Sequence, residues 1–151
     1  MALDTTIYGF YRGLSAIGMW FSLLGLRLLI AWEFWESGVE KLNGENWFTN
    51  ISGDFPFPFS VLPVDASWFI ATWTEIIGAL ALVIGLATRF WAASFIILDL
   101  VAWTSVHADN GYNVCDNGFK LPLIYLIMLI PLVLNGAGKL SVDHLFALKY
   151  K

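Results

Sequence analysis

The sequence predicts an all-α integral membrane protein, a four-helix bundle with both termini on the cytoplasmic side. Three observations carry this expectation: the apolar composition, four long apolar stretches, and the sharing of basic residues between their connections. Of 151 residues, 58% are hydrophobic and only 13% charged, against roughly 45–50% and about 25% in soluble domains. A soluble chain this short has too much surface for its volume to hide that much apolar side chain. The mean hydropathy of +0.70 agrees, and the length fits a single domain over residues 1–151.

Crossing about 30 Å of hydrocarbon takes roughly 20 residues of helix. Four stretches meet this, at about residues 17–38, 67–86, 90–106 and 121–138. They are continuously apolar rather than alternating, which excludes a membrane barrel. The first carries Arg27, Glu33 and Glu36, the second only Glu75, and the third only Asp99. Pro131 in the fourth is tolerable where neighbouring groups satisfy the freed carbonyl. The segment Thr5–Ala16 before the first stretch is mixed and aromatic, and reads as an interfacial helix or an extension of the span. Met1-Ala2-Leu3-Asp4 lacks a positive n-region and no small-residue cleavage site follows, so the first span is expected to stay as an anchor.

The connections differ in kind. Leu42–Ala66 holds Pro56, Pro58 and Pro63, and its Phe55-Pro56-Phe57-Pro58-Phe59 run predicts an extended aromatic segment at the interface. Ala87-Thr88-Arg89 is so short that spans two and three must form an antiparallel hairpin. His107–Lys120 holds two Asp-Asn-Gly turns. With the N-terminus inside, Arg12, Arg89, Lys139, Lys149 and Lys151 fall on the cytoplasmic side, and Lys41 and Lys120 outside. Five against two favours that orientation. The eight Trp residues are expected mainly in interface belts. Gly78, Ala81 and Gly85 are expected at close helix contacts.

An ionisable side chain inside a span costs at least about 2.5–3.5 kcal/mol on insertion scales, so each one needs a reason. Arg27, Glu33, Glu36, Lys41, Glu75, Asp99 and His107 are the candidates for a polar pocket in the outer half of the bundle. Glu33, Glu36 and Glu40 share a face at i, i+3, i+7. Arg27 lies about 120° around from Glu33, at six residues of about 100° each. Such a pocket can take a small polar ligand or relay protons. The competing reading is that Arg27, Glu75 and Asp99 pair across helices and only fix packing, although polar contacts between membrane helices average only about 0.6 kcal/mol.

The loop residues Cys115, Asp109 and Asp116, with His107, form a conceivable external thiol or metal site. Their spacing matches no established ligand motif, and one Cys with one His leaves a metal shell incomplete. His144 lies at the opposite end and cannot complete it. A single cysteine allows no disulfide within the chain. No basic run points to nucleic acid. No phosphate loop, dinucleotide fingerprint, haem-attachment Cys pair or hydrolase triad is present.

Short motifs in order carry a family resemblance. Span one ends Phe34-x-x-Ser37-Gly38-x-x-Lys41. Span two carries Glu75 and Gly78, then Gly85-Leu86-Ala87-Thr88-Arg89 at the turn. The last span ends Asn135-Gly136-Ala137-Gly138-x-x-Ser141-x-Asp143. This order resembles the DoxX family of small four-helix bacterial membrane proteins, over about residues 20–145. The Ser37–Lys41 element and the Thr88-Arg89 turn look closest to DoxX-like proteins associated with maturation of copper-binding peptides. The family's name comes from resemblance to the membrane subunit of a thiosulfate:quinone oxidoreductase. The resemblance therefore implies a multi-pass protein of the bacterial inner membrane, a quinone-linked redox accessory or oxidoreductase subunit. Its partners would be the lipid bilayer and other protein subunits or a homo-oligomer. Two other roles compete with this one, a non-enzymatic partner in metal-peptide maturation and a conductor of small solutes or protons. The His107–Lys120 loop with Cys115 falls outside the family's general pattern.

Overall fold

A computed structural model describes residues 2–149 of the chain. All regular structure among them is helical, in five α-helices joined by short turns. Helix α1 spans Ala2–Asn43, α2 Val64–Ile84, α3 Thr88–Ala102, α4 Lys120–Asn135 and α5 Val142–Lys149. Three helical segments are long and apolar enough to cross a membrane: Ile7–Asn43, Val64–Ile84 and Thr88–Asn110. Helix α4 is apolar too but has 16 residues, about 24 Å at 1.5 Å each. It stops short of the expected 138 because Gly136 adopts φ +78 and ψ -153, a conformation open to glycine and outside the helical region.

The expected first span lies inside a much longer helix. Residues 2–43 run unbroken for 42 residues, about 63 Å, so the stretch before residue 17 extends the span. Side chains such as Tyr8, Phe10 and Tyr11 on that extension are well exposed. The third span also outruns its expected limits. After Ala102 the chain widens into a π-turn, Trp103–His107, and then tightens into a 3₁₀ turn, Ala108–Asn110.

The α2–α3 connection is Gly85-Leu86-Ala87, two residues earlier than expected. Gly85 is left-handed at φ +70, Leu86 N–H donates to Ala81 O at 2.9 Å, and Gly85 N–H donates to Leu82 O at 3.2 Å. That pair of bonds is the Schellman ending of a helix. Thr88 and Arg89 therefore belong to the first turn of α3 and not to the connection.

Burial is arranged as a bilayer would require. Large apolar side chains such as Leu29, Ile77, Leu80, Ile97 and Ile130 face outward, whereas Arg27, Thr72, Glu75, Thr88 and Asp99 are buried. The apolar centre consists of Ile30, Phe34, Ala79, Leu82, Phe95, Leu129 and their neighbours. The Phe34 and Phe95 rings stack with centroids 3.9 Å apart and planes 2° from parallel. Gly78 makes this possible, because a Cβ there would lie 2.7 Å from two carbons of the Phe95 ring. Small residues on α2 thus let aromatic rings reach its backbone.

The segment between α1 and α2 is a folded cap and not an extended strand of aromatics. It turns through three short 3₁₀ pieces, Trp47–Asn50, Ser52–Asp54 and Phe59–Val61. Phe48 stands edge-on to Phe55 and to Trp68, at 5.3 and 5.0 Å, and Phe55 is buried. Asn46 Nδ2 donates to Asp65, and Ser105 Oγ donates to the Asp54 carbonyl, fastening the cap to α2 and to the π-turn. Trp47 and Trp68 accordingly serve this cluster, whereas Trp32 and Trp73 remain exposed in the manner of belt residues.

Candidate functional site

Beneath the aromatic cap lies a cavity of about 300 Å³ between α1, α2, α4 and the α3–π segment. Its wall is mainly apolar, with a few polar groups converging on it. On α1 the residues that turn inward recur at heptad spacing: Arg27, Ile30 and Ala31, Phe34, Gly38 and then Lys41. Ser37 and Lys41, one turn apart, meet α2 at Glu75. Lys41 Nζ lies 3.0 Å from each carboxylate oxygen of Glu75. It also donates to Ser37 Oγ at 2.7 Å, and Ser37 donates to Glu75 at 3.4 Å. Both charged side chains are at most a tenth exposed. Gly38 permits the approach, since a Cβ there would sit 3.0 Å from Glu75 Cβ.

Two further carboxyl groups line the cavity. Tyr125 of α4 donates its hydroxyl to Glu33 at 2.5 Å. Asp99 of α3 is 5% exposed, and its Oδ2 has no hydrogen-bond partner among the described residues. A buried carboxyl oxygen without a partner is costly, so a cavity water, a ligand or a proton has to satisfy it. His107 lies at the rim, its Nδ1 2.6 Å from the Asn117 carbonyl. That nitrogen must carry the hydrogen.

The sequence-predicted set therefore divides. Glu33, Lys41, Glu75, Asp99 and His107 line one cavity. Glu36 does not; it falls off the inward stripe of α1 and is exposed. Arg27 does not either, because its 14 residues from Lys41 place it roughly 21 Å away along the helix axis. Glu75 and Asp99 also lie deeper than expected. Since α2 starts at Val64 and the α3 segment continues to Asn110, both stand near the middle of their helices and not two turns below the ends. Ser37, Ser67, Ser105 and Tyr125 are site residues missed as chemical candidates in the sequence. Only Ser37 carried a signal, its i, i+4 spacing to Lys41.

Arg27 anchors the opposite end of the bundle. It is fully buried and donates through Nη2 to the Leu140 carbonyl at 2.5 Å, while Nε and Nη1 find no partner among the described residues. Its guanidinium lies against Gly85, where a Cβ would be 1.7 Å from Nη1. Asp143, opening α5, accepts from the backbone amides of Ala87 and Thr88 at 2.7 and 2.9 Å. Its own amide donates to Gly85 O at 2.9 Å. The glycine turn and the C-terminal Gly-Ala-Gly segment thus meet around one buried cation.

In the remaining loop, Cys115, Asp109 and Asp116 are exposed. Among the described residues no three His, Cys, Asp or Glu side chains gather as a metal site would require. The loop holds itself: Phe119 N–H donates to Gly111 O, and Asp116 N–H to Asn113 Oδ1.

The family model for DoxX matches residues 22–108, which takes in Arg27, the Ser37–Lys41 pair, Glu75, the Gly85 turn and Asp99. An uncharacterized protein of Haemophilus influenzae (strain ATCC 51907 / DSM 11121 / KW20 / Rd) is 54% identical over 137 residues, 91% of each chain. No solved structure matches the chain. With more than half its length matched, the chain belongs to the DoxX family of membrane proteins.

Proposed function

We propose that the chain is a single four-span domain of the bacterial inner membrane, with both termini cytoplasmic, that binds quinone as the membrane subunit of a redox system. The observation that carries this is an apolar-walled cavity in which a charged donor, Lys41, and an unpartnered carboxyl, Asp99, stand on different helices. Pockets that take lipid-soluble ligands are mostly apolar, with a few placed polar groups that fix orientation. Phe34, Phe55 and Leu98 supply surface for a ring, Lys41 a donor to a carbonyl, and Asp99 an acceptor or proton source. Bound quinone would supply two-electron, two-proton redox chemistry, with the electron donor on a partner subunit. Charge argues for such a neutral occupant. Lys41 is already paired with Glu75, and Glu33 and Asp99 add carboxyl groups, so a sulfur oxyanion would meet repulsion there.

The test is solvent extraction of protein purified in mild detergent. The wild-type chain is expected to retain quinone near stoichiometrically, and Asp99→Leu and Glu75→Ala to lose it while still inserting. Wild-type protein free of quinone, or variants that keep it, would remove the basis of this reading.

The orientation has its own test. Cys115 lies in the loop between α3 and α4 and is expected to react with a membrane-impermeant thiol reagent in intact spheroplasts. Labelling only after permeabilisation would invert the topology.

A further inference from the structure

We propose that the chain has a second binding site, for the phosphate of an anionic phospholipid, in the groove between α1, the start of α3 and the Gly136–Asp143 turn. The groove is open and measures about 980 Å³. Its α1 wall is Gly18, Met19, Ser22 and Leu23, and beside Gly18 a Cβ would meet nothing within 4 Å. Opposite stand Arg89 and Lys139. Arg89 is held in place by donating through Nη2 to Leu134 O at 3.2 Å, and its Nε faces Gly136, where a Cβ would lie 3.4 Å away. Lys139 Nζ sits 5.2 Å from the centre of the Trp20 ring.

Charge in this region is unbalanced. Arg27 lies directly behind the wall, against Gly85, and is fully buried with Nε and Nη1 unpartnered among the described residues. Arg27, Arg89 and Lys139 therefore face one carboxylate, Asp143, whose two oxygens are occupied by the amides of Ala87 and Thr88. A buried cation with so little compensation favours an anion nearby. The α3 N-terminus adds to the field. Its first intrahelical bond is Trp91 N–H to Ala87 O, so the amides of Arg89 and Phe90 precede the ladder and lie at the positive end of the helix dipole. Arginine beside a helix N-terminus suits phosphate.

The surroundings identify a lipid as the source of that phosphate. Met19 and Phe90 line the groove and are 54% and 63% exposed, giving acyl chains an apolar surface continuous with the headgroup site. Trp20, beneath Lys139, is an interface residue by type. The occupant is accordingly a phosphodiester lipid with net negative charge, such as phosphatidylglycerol.

Native mass spectrometry of the full chain, released from detergent with phosphatidylglycerol or phosphatidylcholine, tests this. The wild type should retain phosphatidylglycerol preferentially, and its Tm should rise with that lipid alone. Each basic residue near a membrane surface contributes roughly a fivefold preference, so Arg89→Gln with Lys139→Gln should weaken retention by about 30-fold. Lys139→Gln alone should weaken it about fivefold; among the described residues the Lys139 side chain donates no hydrogen bond and sits over Trp20 only, so this variant keeps the fold. Arg89→Lys should restore most of the binding lost in Arg89→Gln. Equal retention of both lipids, unchanged retention in Lys139→Gln, or the same Tm rise with inorganic phosphate would each overturn the assignment.

Discussion

Lys41→Met is expected to destabilise the folded bundle by about 3–5 kcal/mol, the usual cost of removing one partner from a buried ion pair. The loss comes less from the missing attraction than from Glu75, which stays buried at 8% side-chain exposure with no countercharge. Ser37→Ala, in contact with the same two groups, should cost only about 0.6 kcal/mol, as an interhelical hydrogen bond in a membrane does. The two variants thus separate charge compensation from hydrogen bonding at one site. Adding Glu75→Gln to Lys41→Met should recover most of the loss, because an apolar or neutral replacement of both partners is often neutral. Reversible unfolding in mixed detergent micelles gives all the values needed for the cycle. A Lys41→Met cost below about 1 kcal/mol would mean that water already solvates Glu75 through the cavity.

The acidic residues of this site were legible because a carboxylate in an apolar stretch stands out against its neighbours, as Glu75 and Asp99 do. What they meet was not legible. Tyr125 reads in sequence as one more aromatic residue of an apolar helix, and only the approach of α4 to α1 makes it the donor to Glu33. Arg27 shows a different failure. A helical wheel places its direction around α1 correctly but discards position along the axis, and that position carries it to the other end of the bundle. The cap was hidden for a third reason. Its prolines do exclude regular helix, yet its compaction rests on Phe48 and Phe55 meeting Trp68 on another element. Such contacts have no local signature. The Gly85 turn was placed within a residue or two because its signal, glycine after a long apolar helix, is local. Its cap by Asp143, 56 residues beyond Ala87, was not.

Gly85→Ala is expected to be strongly destabilising, by two separable causes. Its φ of +70 costs an L-residue about 1–2 kcal/mol by itself. The larger consequence is steric: the added Cβ would stand 1.7 Å from Arg27 Nη1 and 2.5 Å from Ser141 Cβ. Arg27 can give way only by leaving the Leu140 carbonyl, and overpacking of this kind adds about 1–3 kcal/mol. Gly136→Ala separates the two causes. Its backbone, at φ +78 and ψ -153, also disfavours an L-residue, but its nearest neighbour, Arg89 Nε, lies at 3.4 Å, so it should cost only a backbone share of about 1–3 kcal/mol. Replacing Arg27 by Ala removes the obstruction, and the Arg27→Ala/Gly85→Ala pair should then be less destabilised than the sum of its single variants by at least about 1 kcal/mol. Strict additivity would show that Arg27 does not occupy the space over Gly85 in the bilayer. The glycine would then be required by the turn alone, and the C-terminal segment would lose its connection to the buried cation.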